Sequence, residues 1–408
     1  MKRLIPQHEQ HKRRGLMTPF IAVAILVVGA GMALVIDHIW LGTAHNQLRS
    51  AAEAAALAGA RQLVNDQDLV APPTTDYELD RRDDLVYHYA ANLAWENRIA
   101  GRPLELITGP EGDIHIGKLV YNEQNDGPMF LEHRHNPTTV VVLAERTKYR
   151  RNPVALFMNQ LAGQKAVDVR AFAEATIDNR VIGLKPTQSI NVPALPIAVE
   201  VNESTIAHDY IAQFFQKGEG DSYRFDADQQ QVESESDGLS EVVIEMPFWS
   251  METTTVVPTE HQWGMLLDFN TQVETDLVVA QIQNGLTVLD FDSLGGELPL
   301  GYEASSHLVG EPTLEREAAE TLQSLVGQTR LLFLHTTTLG ETPQTQPLKI
   351  VEAIGVRVMN VEIDGSLKLT VQPAVLTTKT AQLTDVPIYH AHPDDYRNPT
   401  IYNLSLTH

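Results

Sequence analysis

From Leu16 to Ile36 the chain runs 21 residues without a charge. As a helix rising 1.5 Å per residue, this run would span roughly 31 Å, the thickness of a bilayer core. Beyond Asp37 the pattern changes, yet no break intervenes. Leu41, Ala44, Leu48, Ala51, Ala55 and Ala58 recur at three- and four-residue spacing, with Arg49, Glu53 and Arg61 between them. One continuous rod is predicted, with a transmembrane part over 16–41 and a helical extension over 42–70. Thr18 and Pro19 suit its start, because a hydroxyl caps free amides and proline at the first helical position forfeits no bond. A cleaved secretory signal would have a shorter apolar region, about 7 to 15 residues, and then a small-residue cut site.

The following pattern alternates between helix and strand. After Pro72 and Pro73, Asp83 to Arg98 predicts an amphipathic helix with Leu85, Tyr89 and Leu93 inward, joined by Ala90 or Ala94. "LELIT", "DIHIGKLVY", "TTVVVLAERT" and "AVDVRAFAEATI" predict strands, and Asn152 is placed to cap a helix from Pro153 through Gly163. These form an expected α+β unit over 76–196, with Pro186, Pro193 and Pro196 marking its exit. An acidic connector is expected over 197–240, where Asp209 to Ser240 is poor in aliphatics and no core should form. Over 241–408 a β-rich domain is expected, from "EVVIEM", "WGMLLDF", "LTVLDF", "TRLLFLH", "IGVRVMNVEI" and "LKLTVQPAVL". Its one predicted helix is Glu311 to Val326, stopped by Gly327.

Charge decides orientation. Lys2, Arg3, Lys12, Arg13 and Arg14 precede the span, so the basic tail 1–15 should stay in the cytoplasm and everything after Asp37 should be exported. The whole chain carries −23; its first 15 residues hold five basic and one acidic side chain, leaving 25 basic against 52 acidic beyond Gly15. Such a surface repels phosphate backbones and anionic lipid alike, which argues against a nucleic-acid partner. There is no cysteine, hence no disulfide, thiolate nucleophile or Cys-based zinc site.

"RRG", the long apolar span, "VID" and "QLRSAAEAAALAGA" together resemble the N-terminal module of Tad/Flp pilus-assembly proteins of the TadE/TadG-like type. Gly15, Asp37 and Ala51 to Ala60 occupy the family's positions, with Glu53 where the family carries Asp. A weaker likeness runs on through "ANLAWENRIAG", "NPVALFMNQLAG" and "VDVRAFAEATI" to about Pro196. The resemblance implies a single-pass inner-membrane protein that associates with other pilus-assembly components and lies in the bilayer through residues 16–41. Pilins proper are cut after a glycine and carry a Glu five residues into the mature chain. Here that residue is Phe20, so an accessory component with a retained anchor is expected rather than a bulk filament subunit.

Two histidine-bearing stretches offer candidate chemistry, each with a plainer reading beside it. His133 and His135 in "EHRH", with Glu132, offer two imidazoles, but Asn136 and Pro137 follow, and two ligands do not close a metal site. "YHAHPDD" places His390, His392, Asp394 and Asp395 together, a fragment of a binuclear hydrolase pattern with only His408 as a good ligand after it; a solvated turn is expected. No "GxSxG", "GxxxxGK[ST]" or "GxGxxG" is present. The chain therefore reads as a non-enzyme without cofactor or metal; an anchored envelope hydrolase and a surface-binding adhesin are the alternatives. Within the span, Asp37 either marks the polar interface beside Trp40 or faces a second helix, with Gly29 and Ala33 allowing close approach.

Overall fold

The computed structural model describes residues 17–124, 126–157, 165–203, 207–218, 220–227, 229–248, 262–269, 274–301, 306–337, 346–392 and 395–407. The fold class is α+β, as expected. Its first element, α1 (Met17–Arg61), is one unbroken 45-residue helix, about 68 Å long at 1.5 Å per residue. Thr18 and Pro19 sit in its first turn. The predicted extension to residue 70 ends earlier: helix stops at Arg61, and a 3-10 turn at Asp66–Leu69 follows, capped by Asn65. Helix α2 (Asp76–Glu96) then returns along α1, opened by a reciprocal cap between Thr75 and Glu78.

A six-stranded sheet covers both helices. Four of its strands come in sequence, β1 (Ile114–Asn122), β2 (Gly127–Glu132), β3 (Thr139–Arg146) and β4 (Val169–Asp178), all antiparallel. Their alternation sends Ile114, Ile116, Val140, Val142, Ala173, Ala175 and Ile177 to one face, against Ala44, Leu48, Ala51, Ala52, Ala55, Ala56 and Ala60 of α1. Small side chains on the helix permit this close seating. At Gly59 an added Cβ would lie 3.2 Å from Val140 Cγ1 and 3.3 Å from Val86 Cγ1.

Several expectations need correcting here. Leu85 and Tyr89 of α2 are exposed and Leu93 is half-buried; the inward face is Leu79, Val86, Ala90 and Ala94. A surface of alanines offers shallow grooves, so the smaller face docks. "LELIT" forms no strand, and no helix begins at Pro153, where Val154–Ala155 instead pairs antiparallel with Ala166–Val167; residues 158–163 of that expectation lie outside the described residues.

The second sheet has seven strands: β5 (Ala194–Glu200), β6 (Val242–Pro247), β7 (Gln262–Asp268), β8 (His307–Glu311), β9 (Thr329–Thr337), β10 (Gln346–Asp364) and β11 (Ser366–Pro373). They lie in the order β5-β9-β10-β8-β7-β6-β11, and further pairings of β5 with β7 and of β10 with β11 close the sheet on itself. The 19-residue β10 serves β8, β9 and β11 in turn. One face carries helices α3 (Ala207–Gln216), α4 (Thr275–Asn284) and α5 (Arg316–Leu322); the other holds Phe269, Phe291 and Phe333.

The acidic connector is thus not a connector throughout. Pro196 sits inside β5, and Tyr210, Ile211 and Phe214 of α3 are core, because the apolar spacing i, i+1, i+4 gives a buried stripe despite acidic neighbours. Glu311 belongs to β8, so the late helix starts only at Arg316, while Gly327 with φ +85° does follow its end. "LTVLDF" folds as turns, with Asp290 binding the Thr287 amide.

The chain's last strand comes back to the first sheet. After β12 (Leu376–Thr377), β13 (Ile401–Leu406) pairs antiparallel with β4, Leu404 opposite Ile177 and Leu406 opposite Ala175. The first sheet's order is β12-β13-β4-β3-β1-β2. At the same time Asp66, in the turn after α1, accepts bonds from Arg357 Nη2 (2.6 Å) and the Val375 amide (2.7 Å). The two sheets are therefore tied through both chain ends.

Candidate functional site

The functional geometry starts where α1 leaves its apolar half. Phe20, Ile25, Leu26, Val28, Met32, Val35 and Ile39 project outward, exposed on all sides of the helix. From Ala44 onward one stripe is buried in the core under the first sheet. The transition is built by two side chains. Asp37 is 5% exposed, and its Oδ1 accepts the Phe157 backbone N–H at 2.8 Å. One turn on, Trp40 Nε1 donates to the Ala155 carbonyl at 3.0 Å, and its ring meets that of Phe157 edge-on, 4.9 Å between centroids. Asp37 thus bonds the protein's own hairpin, a partner neither sequence reading anticipated. Ala33 is buried, whereas Gly29 is exposed, with no atom within 4 Å of an added Cβ. Lys12, Arg13, Arg14 and Gly15 lie outside the described residues.

A groove of about 1120 Å³ runs between α2 and the start of β1, lined among others by Tyr77, Asp80, His88, His115, Glu132 and His133. Its floor is an ion-pair lattice. Buried Arg82 donates to Asp83 Oδ1 (2.8 Å) and the Arg134 carbonyl (2.7 Å), while Arg134 Nε donates to Asp83 Oδ2 at 2.7 Å. Both bonds to Asp80 and Asp83 hold the Arg134 guanidinium above its ordinary value. Glu132 does not orient His133 or His135: its Oε1 lies 2.6 Å from His115 Nδ1, on the neighbouring strand. His133 Nδ1 instead lies 2.6 Å from the His135 carbonyl, across a bend.

The "YHAHPDD" stretch holds a 3-10 turn, Ile388–His390, whose rings pack on β1: the His390 and Tyr121 centroids are 4.4 Å apart. The His392 amide donates to Asp395 Oδ2 at 2.8 Å. Asp394 and His408 lie outside the described residues. Among the described residues no group of three or more His, Cys, Asp or Glu is arranged to hold a metal.

Sequence reading missed a fully buried carboxylate. Glu352 on β10 is fully buried, bonded by the Tyr396 hydroxyl, by Asn398 Nδ2 at 3.2 Å and by the Ala353 amide at 3.0 Å. Burial pushes its carboxyl up to about 7, against those bonds, and burial likewise raises the Tyr396 phenol. Asn398 extends the cluster: its Oδ1 accepts from the Thr400 and Ile401 amides and its Nδ2 reaches the Ala353 carbonyl. Thr400 Oγ1 accepts the Gly355 amide at 2.9 Å. Gly355 is required there, since a Cβ would fall 2.4 Å from the Ala374 carbonyl oxygen. The signal was available: "KIVEAIGV" sets a lone carboxylate in a β-branched run. On β9, burial pulls the His335 imidazole down to about 4.

These features define a class, a helix-anchored α+β protein in which one rod is outward-facing apolar surface at its start and buried core at its end. By length and composition, the helix over Pro19–Arg61 contains a stretch able to cross a membrane. Residues 15–62 match the family model described as "Putative Flp pilus-assembly TadE/G-like". That match meets the expected resemblance over the N-terminal module and supports a role associated with Tad/Flp pili rather than an enzyme; the weaker likeness out to Pro196 lies beyond it. No curated protein and no solved structure matches the chain.

Proposed function

We propose that this protein is a single-pass, membrane-anchored component of a Tad/Flp-type pilus-assembly system, acting by protein–protein association at the cell envelope. Its N-terminus is cytoplasmic, its anchor stays, and its α+β domain stands at the outer face of the inner membrane. The observation that carries this reading is that the family-matched residues 15–62 coincide with α1, whose later half is core to the exported unit. The module is not a detachable leader. A helix that enters its own domain's core without a hinge holds that domain at a set height beside whatever assembles there. Residues outside that core are left to make contacts with other pilus components, and no catalytic or cofactor role is assigned to any residue.

Phe20 supports an accessory place. A chain cut after Gly15 would expose a new ammonium at Leu16, and an unpaired charge in hydrocarbon is costly. Phe20, 70% exposed on the helix surface, supplies no carboxylate to offset it. Two measurements test the proposal. Protease added to spheroplasts should digest the chain beyond Trp40 and spare the tail before Arg14, and intact mass of the membrane-extracted protein should retain Lys12 to Gly15. A species starting at Leu16 would mean prepilin handling, and a protected C-terminal domain would reverse the topology. In cells, deletion of the gene should abolish piliation and surface adherence; normal pili without it would overturn the assembly role.

A further inference from the structure

The end of the exported domain that faces the helix's apolar half has a charge opposite to the rest of the molecule. We infer that this end is a basic, aromatic collar that docks on anionic lipid headgroups of the membrane from which α1 emerges. The inference rests on the membrane-anchored reading above. Its height is set by three bonds to α1: Asp37 with the Phe157 amide, Trp40 with the Ala155 carbonyl, and Gln47 Oε1 with the Ala100 amide at 3.0 Å. Gln47 lies seven residues past Trp40, about 10 Å along the helix. Buried Arg146 bolts the two loops of this end together, donating from Nη1 to the Ile99 carbonyl (2.9 Å) and from Nε to the Asn152 carbonyl (2.7 Å). Leu156 N–H bonds the Lys165 carbonyl at 3.1 Å, which brings the hairpin's far arm to the same level.

On these loops stand Arg98, Arg102, Lys148, Arg151 and Lys165, all exposed and, among the described residues, in no ion pair. Beyond Gly15 the chain as a whole has 52 acidic against 25 basic residues, so five unpaired cations at one end are a local inversion. The carboxylates nearby are few or engaged. Glu145 holds Arg150 and Arg170 and Asp113 holds Arg150, leaving Glu96, Glu105 and Asp168, the last accepting the Lys148 amide, against the five cations. Tyr149, 93% exposed, and Phe157, 60% exposed with one edge against Trp40, project from the same loops.

An aromatic ring and a long basic side chain are the pair that suits a headgroup layer, where apolar stems sink and charges meet phosphate. The collar begins within about a Debye length of Trp40, so its attraction to a negative surface is only partly screened. These cations cannot disturb topology, because charge acts on orientation within about 15–20 residues of a span and the first of them is Arg98.

The test uses the full chain in nanodiscs of neutral phosphatidylcholine, or of the same lipid with about one third phosphatidylglycerol. Since the chain has no cysteine, Tyr149→Cys carries a polarity-sensitive fluorophore without competition, and Gln323→Cys on the second sheet's helical side serves as control. Expected at position 149 are a blue shift and at least about threefold greater quenching by brominated lipid in anionic discs, reversed by 0.5 M salt, with no change at 323. Arg98→Gln with Arg102→Gln, Lys148→Gln and Arg151→Gln should abolish the difference while leaving incorporation and thermal unfolding intact. Equal signals at 149 in both lipids overturn the collar though the chain is anchored; failure to enter either disc sinks the anchoring reading instead. A lipid difference that survives both salt and the quadruple variant also overturns it.

Discussion

Two buried titratable groups face opposite ways. Glu352 has its pKa raised from 4.5 to about 7, so between those values the unfolded chain has lost a proton that the native protein keeps, and stability falls as pH rises. His335, lowered from 6.5 to about 4, does the reverse: on acidification through that window the unfolded chain gains a proton the native protein refuses, and stability falls as pH drops. Each contributes about 3 kcal/mol across its window, and between 4.5 and 6.5 they largely cancel. Substitution should unmask them. Relative to wild type, Glu352→Gln should gain stability progressively from pH 4.5 to 7, whereas His335→Leu should gain it from pH 6.5 down to 4. Urea unfolding at half-unit pH steps checks this, and parallel curves for all three proteins would refute both assignments.

Asp37 belongs to the same scale. Its carboxylate satisfies a backbone amide where α1 enters the first sheet's unit, so Asp37→Ala should cost about 1–3 kcal/mol, as for hydrogen bonds to charged groups. Asp37→Asn, which keeps an acceptor oxygen, should lose less than half of that. Differential scanning of the detergent-solubilised chain reads both; equal losses would mean that charge, not acceptance, matters there.

Among the elements, α1 was legible over its whole observed length because two patterns, an uncharged run and an alanine-rich 3.6 period, meet without a breaker. Strands with plain alternation, β1, β3, β4 and β6, were equally clear. The face of α2 was not, because Leu85 and Tyr89 outweigh Val86 and Ala90 by hydrophobicity, while the alanine surface of α1 selects by size. Helix α3 hid behind Glu, Asp and Gln in the residues around it, and β13 hid because nothing local says that a strand 223 residues downstream of β4 pairs with it. Of the candidate site, Asp37 and Trp40 could be picked out, but not the hairpin they bind, since their partners there are main-chain atoms. The same size selection supports a prediction: Ala55→Leu, fully buried on α1, should overpack the helix–sheet seam and cost about 1–3 kcal/mol in urea unfolding, while Ala24→Leu on the exposed half should cost nothing measurable.

For the whole molecule, buried Asn398 and Thr400 make β10 of the second sheet depend on the C-terminal tail. Asn398→Ala removes bonds to Glu352, to the Ala353 carbonyl and to two amides together, and should destabilise by 3 kcal/mol or more, on the order expected for a buried network that loses its hub. Proteolysis of the variant should release both sheets, not one. Selective loss of β13 with the second sheet intact would show that the two fold independently.

The placement of α1 and β13 also sets a timetable. The first sheet's unit needs residues 44–60 on one side and residues 401–406 on the other, nearly the full length of the chain apart. If the chain is delivered from its N-terminal end, α2 and β1 to β4 can cover the alanine face early, but the open edge of β4 must wait until the last strand has been delivered. Long-range closure of this kind is slow and leaves apolar surface open to wrong partners meanwhile. A truncation or stall anywhere before residue 401 therefore leaves the sheet made first with an unpaired edge along β4.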